Sequence, residues 1–175
     1  MQAATTNLLL IAILFLCNIA LVRPTRGQEA DNKNQERIGY TSEFIGRSWA
    51  IKKVLPTYPE EAIKQNISGV VEVAVGRDYE GKVVRVHVPP GLNSLLKKAA
   101  VAAAKQWRFE PFKNPTIQSD YTIFRLTFNF VIKDGKGWVE LYNPPLDSPA
   151  HKRMRGAGPW DVKEWGRWED ATEDN

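Results

Sequence analysis

Three stretches of the chain alternate apolar and polar residues with the two-residue period of a strand. In VVEVAVG, Val71, Val73 and Val75 share one face; after the turn-forming RDYEG, KVVRVHV repeats the pattern through Val84, Val86 and Val88, which predicts a hairpin. YTIFRLTFNFVI places Phe124, Leu126, Phe128, Phe130 and Ile132 on one face and Arg125, Thr127 and Asn129 on the other. This predicts a long, half-buried third strand. Between hairpin and third strand, Leu92, Leu96, Ala99, Ala103 and Trp107 recur at helical spacing, with Lys97, Lys98 and Lys105 outside the stripe. An amphipathic helix is expected from Gly91, stopped by Pro111. Ahead of the hairpin, PTYPEEAIKQNISG predicts a short helix over about Pro59 to Asn66. Proline fits its first turn, Glu60 and Glu61 its positive end, and Gly69 falls just past its close.

The order strand, strand, helix, strand implies an α+β fold, with an antiparallel three- to four-stranded sheet and helices packed on one face. If the helix carries the chain back, strand three pairs beside strand one and the sheet order is two, one, three. Strand three is then an edge, whose N–H and C=O groups accept an added strand. The alanines of AAVAAAKQWRFEPF let the helix sit close to the valines, and Trp107 closes that core with a large apolar area. This stretch is read as packing, not catalysis. After it, KDGKG and WVELY predict a turn and an added fourth strand, Trp138 to Tyr142, that would fold back onto strand three as edge protection or as a displaceable lid.

The flanks divide the chain further. Residues 1–27 contain the apolar run Leu8 to Val22, shorter than the roughly 20 residues that span a bilayer. Thr25 and Gly27 have the spacing a signal peptidase accepts, so cleavage near Gly27 is expected, with retention as an N-terminal membrane anchor the alternative. Residues 28–49 are polar and aperiodic and are read as a linker, with order beginning near Val54. Residues 50–132 form the domain. Residues 133–175 are a Trp-rich C-terminal extension in which Trp160, Trp165 and Trp168 pack on the domain or meet a partner.

Composition narrows the function. The 175 residues suit one domain with tails, and the net charge of +4 is dispersed without the basic blocks that track a phosphate backbone, so nucleic acid is not an expected partner. The single cysteine, Cys17, lies in the apolar run, and the two histidines, His87 and His151, stand in strand two and in the tail. Too few groups remain to assemble a zinc site or a Cys/His pair. The carboxylates Glu60, Glu61, Asp78 and Glu80 fit helix-start and turn roles. No catalytic residue, metal site or cofactor is expected, and the chain reads as a non-enzyme.

Pro56-Thr57-Tyr58-Pro59, Ala62, Gly69, the valine hairpin around Gly81, the alanine helix and Trp107-Arg108-Phe109-Glu110-Pro111 occur together at the spacing of the TonB C-terminal domain, which residues 50–132 resemble. The resemblance implies a periplasmic, cell-envelope module that grips the TonB box of outer-membrane transporters by strand addition and serves transmembrane transport. It also implies partnership with an ExbB/ExbD-type inner-membrane motor. It assigns peptide docking to the third strand, Tyr121, Thr122, Ile123, Phe124, Arg125, Leu126 and Thr127, with Lys53, Val54 and Leu55 as an adjacent contact segment. An anchored apolar run favours an energy-transducing module. Its cleavage favours an exported TonB-like scaffold that transduces none.

Overall fold

In the computed structural model, residues 36–112, 119–157 and 168–170 are described, all in a unit that begins at Glu36. The apolar run, the cleavage site near Gly27, Trp160 and Trp165 lie outside them. The central hairpin is β3 (Gly69–Arg77) and β4 (Val83–His87), and the long third strand is β6 (Tyr121–Lys133). β3 pairs antiparallel with both, from Gly69 opposite Phe130 to Arg77 opposite Thr122 on the β6 side. The order β4, β3, β6 is the one the strand–strand–helix–strand pattern predicts.

The hydrophobic core lies on the face of β6 that carries Phe124, Leu126, Phe128 and Phe130, all at most 1 % exposed. Val71, Val73 and Val75 of β3 join them as expected. In β4 the pairing passes from Gly76 opposite Arg85 to Arg77 opposite Val83, leaving Val84 as an extra residue. This bulge reverses the alternation, so Val83 takes the core position expected for Val84.

Helix α3 (Ser94–Lys105) packs over β3 and β4, capped by the Asn93 side chain, which accepts from the Leu95 N–H at 2.9 Å. Its buried positions include Leu96 and Ala103 of the predicted stripe, with Ala100 and Ala104 beside them and Ala99 only partly buried against the core. It ends well before Pro111, because Arg108–Phe109 form a short strand β5 that pairs with β2 (Ala50–Lys52). Gly81 allows β5 to pass: it has φ +83°, and a Cβ there would collide with the Phe109 carbonyl oxygen. Helix α2 (Glu60–Lys64) starts after Pro59, and Tyr58 ahead of it lies edge-on to Phe130 with its hydroxyl donating to Ile67 O at 2.7 Å.

Trp107 is fully buried, and its indole N–H donates to Val54 O at 2.7 Å. Nearby, the Arg77 guanidinium is stacked between Trp49, at 4.6 Å, and Phe112, at 3.8 Å. Burial lowers its pKa, and the aromatic faces supply the attraction that hydrogen bonds supply elsewhere.

Order begins well before Val54. β1 (Ile38–Tyr40) and α1 (Glu43–Ser48) lie within the stretch read as linker, which has too few residues to show a period but carries its own start signal. The tail also adds structure: β7 (Lys136–Leu141) hairpins onto β6 through the positive-φ pair Asp134 and Gly135, as WVELY predicted. Helix α4 (Pro149–Arg155) follows, and Arg153 reaches Glu72, on the sheet face opposite the core, at 3.8 Å. A short β8 (Glu169–Asp170) pairs with β4, and the Trp168 ring packs 5.6 Å from His87. The α+β class stands, and among the described residues the sheet has six strands rather than three or four.

Trp107→Ala is expected to destabilise the domain by about 3–5 kcal/mol, from lost burial and the indole bond to Val54. Urea unfolding of the two proteins checks this; a midpoint equal to wild type would contradict the core described.

Candidate functional site

The third strand was expected to be an edge. It has partners on both sides, because the chain's own flanking segments line the side of β6 that faces away from β3. Going along β6, β1 pairs in parallel with Tyr121, Thr122 and Ile123, and the Thr41 N–H donates to Ile123 O at 3.0 Å. At the far end, β7 pairs antiparallel with Phe128 through Lys133.

Between these two strands, side chains of α1 take over. The Glu43 carboxylate, 1 % exposed, accepts from the Thr127 backbone N–H at 2.6 Å and from its hydroxyl at 2.8 Å. Arg47 forms an ion pair with Glu43 and donates to Thr127 O at 3.0 Å and to Tyr142 O at 3.0 Å. The Tyr142 N–H completes the Thr127 carbonyl at 2.8 Å. One acid and one base thus satisfy the N–H and C=O that a neighbouring strand would otherwise take.

Local sequence explains why α1 forms there. The Ser42 side chain caps the helix by accepting from Ile45 N, and Glu43 and Arg47 stand four apart on one face. Gly46 lets the helix approach: a Cβ at this position would collide with the Phe124 ring. Burial pushes the Glu43 carboxyl above its ordinary range, against the pull of Arg47 and Thr127, and burial likewise lowers Arg47.

The residues assigned to peptide docking therefore divide by environment. Tyr121, Thr122 and Ile123 lie under β1, Phe124 and Leu126 face the core, and Thr127 is held by α1. The Arg125 guanidinium lies on the opposite face and pairs with Glu72 at 3.1 Å. Lys53, Val54 and Leu55 attach at the end of α3, where Val54 O takes the Trp107 bond; Lys53 and Leu55 are exposed. Glu43 and Arg47 were missed by the sequence reading, although the Ser cap and the i,i+4 acid–base pair in SEFIGR were legible signals.

A polar cluster anchors the start of β1. The Glu36 carboxylate accepts from Arg85 at 2.6 and 2.8 Å and from the Tyr121 hydroxyl at 3.0 Å, and Asp120 accepts from the Arg37 backbone at 2.8 Å. Arg85 and then Tyr121 hold Glu36 below its ordinary value of 4.5, and the Arg37 N–H does the same for Asp120. Burial, then the bond to Glu36, pushes the Tyr121 hydroxyl up to about 12, so it remains a donor at neutral pH. Among the described residues, no group of three or more His, Cys, Asp and Glu could hold a metal ion.

The signs of these shifts predict how pH acts on the segment. A lowered carboxyl contributes stability that is present above its ordinary value and lost as pH falls through the lowered one, so the β1 end weakens in acid. Glu43 acts in the other direction: its contribution is present below its ordinary value and lost as pH rises through the raised one. An NMR titration of the Gly39 amide should show a midpoint below 4.5, set by Glu36. A midpoint at or above that value would contradict the Glu36–Arg85 anchor.

Comparison with known proteins places this arrangement. The chain matches no curated protein and no solved structure. Residues 54–132 match the family described as the Gram-negative bacterial TonB protein C-terminal. The matched span contains the β3–β4 hairpin, α3 and nearly all of β6, while β1 and α1 precede it and β7 and α4 follow it. Residues 54–132 are thus a domain of the TonB C-terminal family, extended on both sides by segments that close along β6.

Proposed function

We propose that this domain is a cell-envelope binding module, facing the periplasm, that docks the TonB box of outer-membrane transporters by strand addition and serves transport across the outer membrane. The family match over residues 54–132 carries this reading. A binding role is supported by the way the charged groups along β6 bond to its backbone and to one another. The docking strand is β6 over Tyr121 to Thr127. There the groups of Ile123 and Thr127 point away from β3, as the bonds from Thr41 and to Glu43 show, and alternation gives Arg125 the same direction. Any coupling to an ExbB/ExbD-type motor would run through the apolar run Leu8 to Val22.

The filled margin of β6 favours one other reading, an exported TonB-like scaffold that needs no added strand. A titration separates the two. A TonB-box peptide added to the full chain should shift the amides of Ile123, Arg125 and Thr127 and leave those of Phe124 and Leu126, which face β3, nearly unmoved. Arg125→Pro removes an outward N–H and should weaken binding at least about tenfold while unfolding stays cooperative. Absence of peptide-dependent shifts along β6 at saturating concentrations would favour the scaffold.

A further inference from the structure

The segment Glu36–Ser48 is held unlike the rest of the domain. None of its residues belongs to the hydrophobic core or to the partly buried apolar side chains packed on it. It approaches the core with bare backbone, Gly46 against Phe124, while Ile38 and Ile45 are 38 and 48 % exposed. Its attachments to the sheet are polar: a three-residue parallel pairing, the Glu36 and Arg37 bonds, and the Glu43–Arg47 pair on Thr127. A buried ion pair adds little net stability, since removing both charges from water offsets most of their attraction. The segment also precedes the family domain in the chain, so its departure leaves β3, β4, α3 and β6 joined.

We infer that Glu36–Ser48 is an intramolecular ligand of β6, a detachable strand and helix occupying the margin that, on the reading proposed above, an extended partner takes. β1 is a strand already added to β6, parallel to it, over Tyr121 to Ile123. A peptide seeking the same groups competes with a tethered segment whose effective concentration is on the order of millimolar. A closed state favoured about 100-fold lowers apparent affinity about 100-fold. Strand exchange, not simple addition, is then the binding step, and the resting chain is autoinhibited. The tail helps to hold the closed state: Arg47 bonds to Tyr142 and Asn143, and Phe44 packs 5.0 Å from the His151 ring of α4.

Three changes to the full chain test this. Gly46→Ala puts a Cβ into the Phe124 ring, and Glu43→Gln removes the charge that holds Arg47 on Thr127. In either variant the amides of Gly39 to Thr41 should exchange at least about tenfold faster, with those of Val73 and Leu126 unchanged. Affinity for a TonB-box peptide should rise by at least about tenfold. The third change is a lock, Gly39→Cys with Thr122→Cys in a Cys17→Ser background, at a site where a residue-39 Cβ lies 3.1 Å from Thr122 Oγ1. The oxidised lock should bind the peptide at least about tenfold more weakly than the same protein in its reduced form. Equal binding by oxidised and reduced lock would overturn the inference. So would exchange of Gly39 to Thr41 only in step with Val73, since the segment would then open only when the domain unfolds. Faster segment exchange with no peptide binding by any form would leave detachment standing and remove the docking reading instead.

Discussion

The structure turns on one requirement, that the backbone of β6 be satisfied on the side away from β3. β6 is 13 residues long and mostly buried, and its partner β3 serves only one side. A buried N–H or C=O left without a partner costs about 1–3 kcal/mol. The chain meets it at Tyr121 to Ile123, at Thr127 and at Phe128 to Lys133 with three pieces from segments far apart in sequence: a parallel strand from before the domain, an acid–base pair, and an antiparallel hairpin from after it.

This division explains features that seem unrelated along the chain. Arg47 reads the carbonyls of Thr127 and Tyr142, so it fixes where β7 must end and ties the tail to α1. Gly46 has no side chain because Phe124 fills the space one would need. Gly137 in β7 is bare for a similar reason, since a Cβ there would enter the Tyr58 ring. The polar character of residues 36–48, which resembles a linker when read along the sequence, is what a segment needs if it bonds to backbone and to charges instead of entering a core.

The part beneath the margin is built differently. Trp107, Phe109, Phe124 and Phe128 form a connected aromatic core, and Trp107 is tied to Val54 through its indole N–H. Such burial is cooperative and costly to disturb, whereas a segment held by few buried apolar contacts is of the kind that opens locally. The contrast between an apolar scaffold and a polar closure separates fold from regulation in this molecule, with β6 belonging to both.

Periodicity and local signals along the chain specify the scaffold. Alternation in the three strands, the alanine stripe, the Asp134–Gly135 turn and the placement of Trp107 are local or periodic properties, so the α+β class, the β4–β3–β6 order and the β7 hairpin were legible in it. Boundaries moved where tertiary pairing intervened, as at the Val84 bulge and in β5, whose pairing with β2 depends on Gly81 letting the backbones close. That β6 is not an edge emerges from the assembled sheet. A three-residue strand has no period to read, and whether Glu43 and Arg47 face solvent or meet Thr127, 84 residues away from Glu43, is settled by the fold alone. The residues of the margin were visible in the sequence as a capped acid–base pair, but their role depends on which backbone groups the assembled sheet leaves unmet.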